Sequence, residues 1–340
     1  MTKAATSVTR LNPLGATNVM VSRLGLGMAA LGRPGYINLG HGEDLGDARD
    51  VPSMEANARR VLDAAWAAGI RYFDAARSYG LGEAFLGRWL EERAIPPAAV
   101  TVGSKWSYTY TADWRVDAEV HEVKEHSAAV LKRQWRESSG HLGGYLKVYQ
   151  IHSATFDSGV LDNHEVLDDL ARLKRGGIVI GLTLSGANQA EVLARARSID
   201  RDGEPLFGCV QATWNLLEPS AGPALAEVRA AGMGVIIKEA LANGRLTSRN
   251  TDVRLTGEGG TLRQEAECLG VGIDALALAA VLGQPWADVV LSGAVTIEQL
   301  QSNVRALDIV LDRAAMGALA GLAPEDPASY WQTQSRLKWN

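Results

Sequence analysis

The chain has 340 residues, 46% of them hydrophobic, and a formal net charge of -5 with no block of like charges. That composition supports a large buried core and argues against disorder, nucleic acid or an anionic membrane as the main partner. Two cysteines, Cys209 and Cys268, make no disulfide framework, and no apolar run could span a bilayer, so a soluble cytoplasmic protein is the expectation.

The opening residues read as a hairpin, with strand 8–11, turn 12–15 and return strand 18–21. Short apolar runs then alternate with amphipathic stretches. The runs are 24–28, 72–74, 100–104, 146–151, 178–183, 209–212, 234–238 and 289–291. Ser53 reads as the N-cap of a helix over 55–68, where Val61, Leu62, Ala65 and Trp66 recur at helical spacing and Gly69 ends the helix. Further helices are expected over 82–92, 116–135, 166–174, 189–197, 221–231 and 296–307. Segments 33–52 and 242–260 read as long functional loops.

This rhythm predicts one domain over 1–340, a closed parallel (β/α)8 barrel. The hairpin would cover its bottom, and the C-terminal tail would lie over or beside its mouth. An open doubly wound sheet gives the same local alternation. Against it, the glycines of 24–32 do not match a Gly-x-Gly-x-x-Gly turn, and no helix follows them.

Barrel strands collect their carboxyl ends at one face. Asp74 and Tyr79 fall at or just after the second run, Lys105 ends the third, and His152 ends the fourth. A lysine beside a tyrosine stabilises the phenolate, an aspartate can hold that lysine, and a histidine can orient a carbonyl oxygen. Such a set suits carbonyl reduction or alcohol oxidation. None of these groups supplies hydride, so a nicotinamide is needed. Gln211 could bond its carboxamide and Trp214 stack on its ring, with Ser185 nearby. Gly293 and Ala294 form a turn before a helix, an anion site.

The segments Leu24-Gly25-Leu26-Gly27, Asp74-Ala75-Ala76-Arg77-Ser78-Tyr79-Gly80, Ser104-Lys105, Gln150-Ile151-His152, Gln211 to Leu217, and Ser292-Gly293-Ala294 with Glu298-Gln299-Leu300 and Asn303 resemble the aldo-keto reductases. The resemblance runs from about Arg10 to Leu307. It implies the same barrel, NADPH or NADH as cofactor, and Tyr79 as proton donor surrounded by Asp74, Lys105 and His152. It further implies cofactor contacts from Gly27, Met28, Asp74, Ser185, Gln211, Trp214, Gly293, Ala294, Gln299 and Asn303. Lys238 and Arg245 are expected to hold phosphates. Ala75 stands where the family often has Thr or Ser, and Gly186 where it often has Asn. Many members carry a cation for the 2′-phosphate of NADP at the positions of Val295, Thr296 and Ile297, so NAD is also a candidate.

Singly, Asp74 and Lys105 could be a structural ion pair, Tyr79 a loop aromatic and His152 a core residue; on three strand ends together they read as an active site. His41, His121, His126, His141 and His164 have no ligand spacing and are expected at the surface, with no metal site. Tyr36, Trp106, Tyr330 and Trp331 are the expected substrate walls. The expected function is reduction of an aldehyde or ketone, or oxidation of a sugar or alcohol hydroxyl, by a monomer or homo-oligomer. A cofactor-binding, redox-sensing regulatory subunit with little turnover is the alternative, and a barrel isomerase needing no nicotinamide is a third reading.

Overall fold

The computed structural model describes residues 10–252, 260–320, 322 and 324–340. Eight parallel strands close into a barrel: Leu24–Gly27, Tyr72–Asp74, Thr101–Trp106, Leu146–Ala154, Val179–Leu184, Cys209–Thr213, Gly234–Lys238 and Val289–Ser292. Each pairs with the next, and the last returns to the first, with Val290 opposite Leu24 and Ser292 opposite Leu26. Closure leaves no free sheet edge, which excludes the doubly wound alternative. The strands read as unbroken apolar runs because one face fills the barrel and the other meets helices.

The helix Val51–Ala67 turns Met54, Ala58, Val61, Leu62 and Ala65 inward. It starts earlier than expected. Asp50, not Ser53, is the N-cap and accepts from Ser53 N at 3.0 Å. Pro52 fits the first turn, where its missing N–H costs nothing.

The helix expected over 116–135 is a correction. Tyr108–Tyr110 pairs antiparallel with Glu122–Lys124, and the helix, Ala128–Leu142, begins only after Ser127, whose Oγ accepts from Val130 N at 3.3 Å. Val116, Val120 and Val123 imitate helical spacing, yet Val120 and Val123 are exposed on the hairpin. The helices Thr261–Leu269 and Ile273–Leu282 were not expected. Every residue of the second except Asp274 is buried, so it has no polar face to give a period.

At the amino ends of the strands, Asn12 pairs with Val21 and Pro13 with Met20. The hairpin therefore starts within the segment expected to turn, and residues 8 and 9 lie outside those described. Its Leu14, Val19 and Val21 are buried against Val148, Cys209, Ile236 and Val289, plugging the barrel bottom. Part of the 242–260 loop, 253–259, is also outside the described residues. Among those described, no helix is long and apolar enough to cross a membrane.

Candidate active site

Side chains alternate along a strand, so residues two apart share a face. Asp74 lies opposite Gly103, and Lys105 opposite Gln150. Two steps along each strand then bring Asp74, Lys105 and His152 to one end of the barrel interior. Lys105 is fully buried. Its Nζ is ion-paired with Asp74 Oδ1 and donates to Ala75 O at 3.0 Å and to Tyr79 Oη at 3.3 Å. An ammonium has three donors, and all three are engaged. Asp74 Oδ2 accepts from Gln211 Nε2 at 2.8 Å and from Tyr72 Oη at 3.4 Å. Tyr72 reaches it because position 103 is glycine: a Cβ there would stand 2.4 Å from Tyr72 Oη.

The turn carrying Tyr79 continues the strand pairing, with Ala75 N donating to Gly103 O at 2.8 Å and Arg77 N to Lys105 O at 3.1 Å. The Arg77 side chain ties the turn to buried Glu83 and, at 3.0 Å, to Glu137. The His152 ring stands edge-on to Tyr79 at 5.8 Å and to Tyr108 at 4.8 Å.

Burial sets the electrostatics. It raises the Tyr79 pKa well above the usual phenol value; Asp74 adds to the rise, and Arg33 opposes it. The balance is upward, where the sequence suggested a tyrosine made more acidic by its lysine, because desolvation outweighs the neighbouring cations. Burial lowers the Lys105 pKa, and Asp74 opposes that fall. Burial, then Lys105 and Lys238, holds His152 well below the usual imidazole value, so the ring is neutral. Its Nδ1 has no partner.

A cavity of about 830 Å³ opens over these groups and runs past Ser185 and Gln211 to Gly293, Gln299 and Asn303. Its lining includes polar atoms without partners: both ring nitrogens of His41 and Oδ1 of Asn243. A largely apolar cavity of this size, with a few unpaired polar atoms among its lining residues, fits a nicotinamide dinucleotide.

Among residues expected to hold that cofactor, Gly27, Asp74, Ser185, Gln211, Lys238, Gly293, Ala294, Gln299 and Asn303 line the cavity. Three do not. Met28 is fully buried in the core. Trp214 packs edge-on against Trp286 at 5.4 Å and donates to Pro219 O at 3.0 Å, so its ring is turned away from the cavity. Arg245 is ion-paired with Glu325 and stacks 5.6 Å from the Tyr330 ring. Lys238, expected to hold a phosphate, instead donates to Thr213 Oγ1 at 2.7 Å and lies 3.5 Å from Glu239 Oε1.

Of the expected substrate walls, Tyr36 and Trp331 line the cavity. Trp106 does not. It is fully buried in the barrel wall, with its ring edge-on to His126 at 5.8 Å. Tyr330 is the buried residue of the tail helix Pro327–Ser335, packed in a cluster with Leu217 and Leu246, and its Oη accepts from Asn215 Nδ2 at 2.9 Å. His41, expected at the surface, is 1% exposed. His126 is half-buried, with its Nε2 3.0 Å from His152 O.

Sequence reasoning missed Arg33, Glu122, Lys124, Glu239 and Trp339, all on the lining. Glu122 and Lys124 were hidden by the false helix. Glu239 directly follows Lys238 and takes a left-handed backbone, φ 55°, unusual for a residue with a side chain and a signal invisible in sequence.

Fold and site together define a class: a (β/α)8 barrel with ionisable groups gathered at the carboxyl ends of its strands, where barrel enzymes keep their chemistry. The model of the aldo/keto reductase family matches residues 23–323, and the chain belongs to that family of NAD(P)H-dependent oxidoreductases. It is 25% identical over 311 residues to the aldo-keto reductase ausK of Emericella nidulans, covering 83% of this chain and 77% of that one. It is 27% identical over 266 residues to pyridoxal 4-dehydrogenase of Microbacterium luteolum, covering 69% and 71%. The holo structure of aldo-keto reductase AKR11C1 from Bacillus halodurans superposes with a TM-score of 0.69 at 22% identity, over 94% of this chain and 99% of that one.

Proposed function

We propose that the protein reduces an aldehyde or ketone, and in reverse oxidises an alcohol or sugar hydroxyl, with Tyr79 as the proton donor. The observation that carries this reading is the contact of Lys105 Nζ with Tyr79 Oη at 3.3 Å, made by a lysine already fixed on Asp74. A raised pKa keeps Tyr79 protonated at neutral pH, ready to give its proton to a carbonyl oxygen placed between it and His152. Lys105 then stabilises the phenolate. Neutral His152 orients the same oxygen without competing for charge.

When bound, NADH or NADPH supplies the hydride. Ser185 and Gln211 would face its carboxamide, with Gln211 Oε1 as acceptor while Nε2 stays on Asp74. Gly293, Ala294, Gln299 and Asn303 would hold its far end. Tyr36, Tyr108, Trp331 and Trp339 give the opening flat aromatic walls, which support substrates with rings. The name of the Microbacterium relative, pyridoxal 4-dehydrogenase, points the same way for that protein.

Replacement of Tyr79 by Phe tests the assignment. Turnover of a carbonyl panel is expected to fall by about 10²–10⁴-fold with NADH and NADPH affinity unchanged. A Tyr79→Phe protein that kept its turnover would sink the mechanism.

A further inference from the structure

Arg33 lies on the loop after the first barrel strand and is 4% exposed. Its Nη1 donates to Ser78 O and to Glu122 Oε2, each at 3.0 Å. Its Cζ stands 5.2 Å from the centroid of the Tyr79 ring, 5.2 Å from Tyr36 and 4.5 Å from Trp339. Its Nε is buried without a partner. Three separate segments therefore press one guanidinium against the Tyr79 ring: its own loop, the Tyr108–Tyr110 hairpin through Glu122, and the tail through Trp339.

Backbone contact brings the loop this close. Leu81 N donates to Gly32 O at 2.8 Å, and a Cβ on Gly32 would stand 2.3 Å from Tyr79 O. A side chain at position 32 would push Arg33 off the turn.

Resting on the reading of Tyr79 as proton donor, we propose that Arg33 is a positioning residue for proton transfer. It locks the Tyr79 ring, and its charge, balanced against Glu122, sets how readily the phenol ionises.

The titratable and charged groups that face Tyr79 come from every side. Asp74 and Lys105 come from the second and third strands, His152 from the fourth, Glu239 from beyond the seventh, and Arg33 and Glu122 from the loops. Asp74, Glu122 and Glu239 disfavour the phenolate, while Arg33 favours it. A buried cation acts with little screening, so this influence persists at ordinary ionic strength. Removing Arg33 and removing Glu122 must therefore act in opposite directions, which a loss of packing cannot imitate.

The test compares wild type, Arg33→Met, Arg33→Lys, Glu122→Gln and Tyr79→Phe, using benzaldehyde reduction and benzyl alcohol oxidation across pH with saturating cofactor. Oxidation needs the phenolate, so its rate follows the ionised fraction. Arg33→Met is expected to displace the oxidation profile to higher pH by about one pH unit, a loss near tenfold at neutral pH. Glu122→Gln moves the profile to lower pH and raises the rate. Arg33→Lys, which keeps the charge, falls between wild type and Arg33→Met. NADH affinity is unchanged throughout. An unmoved profile in Arg33→Met, or a shift of the same sign in Glu122→Gln, overturns the proposal while wild-type turnover upholds the reading beneath it. Wild-type turnover that equals that of Tyr79→Phe overturns both.

Discussion

Gln211 Nε2 donates to Asp74 Oδ2 at 2.8 Å, linking the sixth barrel strand to the second across the interior. The residue proposed to meet the cofactor thus also holds the carboxylate that fixes Lys105. Gln211→Glu would place two carboxylates within hydrogen-bond distance, and one would have to take a proton or move. The expected result is lost stability of about 1–3 kcal/mol, read from urea unfolding, with weaker NADH binding in fluorescence titration. Unchanged values in both would mean the link matters to neither.

Gly103 is required by packing at the same place, since a Cβ there meets Tyr72 Oη. Gly103→Ala is expected to cost about 1–3 kcal/mol and to lower turnover, because Tyr72 must leave Asp74. Gly140, inside the helix Ala128–Leu142 with nothing near its missing Cβ, is the contrast. Gly140→Ala is expected to stabilise by roughly 0.5–1 kcal/mol. Melting temperatures that fail to separate the two variants would refute the packing argument.

His41 predicts an acid-sensitive fold. Burial, then Arg49, Arg33 and Arg249, lowers its pKa from 6.5 to about 4. Between those values the unfolded chain binds a proton that the folded chain refuses, so stability rises with pH there and is lost on acidification. The full effect is on the order of 3 kcal/mol. His126, also lowered to about 4, acts with the same sign. In urea midpoints measured from neutral pH down to acid, His41→Asn should show a shallower decline than wild type. Parallel declines would rule the histidine out.

NADH is expected to bind more tightly than NADPH, by about tenfold, or 1.4 kcal/mol. Val295, Thr296 and Ile297 supply no cation, while Asp274 and Glu298 line the same stretch of cavity. The nearby Arg249 is ion-paired with Asp44 and donates to Gly40 O at 2.6 Å. A 2′-phosphate would meet carboxylates there. Paired fluorescence titrations decide it, and Glu298→Lys should narrow the gap. Equal affinities in wild type would remove the electrostatic argument.

The barrel was legible because each strand is buried on both faces and announces itself as an apolar run ending near a polar group. Asp74, Lys105 and His152 followed from that, since strand ends determine where such side chains meet. What failed were positions whose direction depends on tertiary packing. Trp214 follows Gln211 by three residues, yet its ring faces Trp286 and not the cavity. Trp106 directly follows Lys105 and so points to the opposite face, into the wall. The hairpin of Tyr108 and Lys124 was lost because its valines copied a helical period, and Glu122 was lost with it. Arg33 sits in a glycine- and proline-rich loop whose path only the contact with the Tyr79 turn defines.

The plug formed by Leu14, Val19 and Val21 has a kinetic consequence. With that end sealed, a cofactor and a substrate bound at the proposed site would both have to enter from the Tyr79 side. Two ligands using one passage bind in sequence, and the one lying deeper enters first and departs last. Steady-state rates at saturating substrate would then report the departure of the deeper ligand as much as the chemistry at Tyr79.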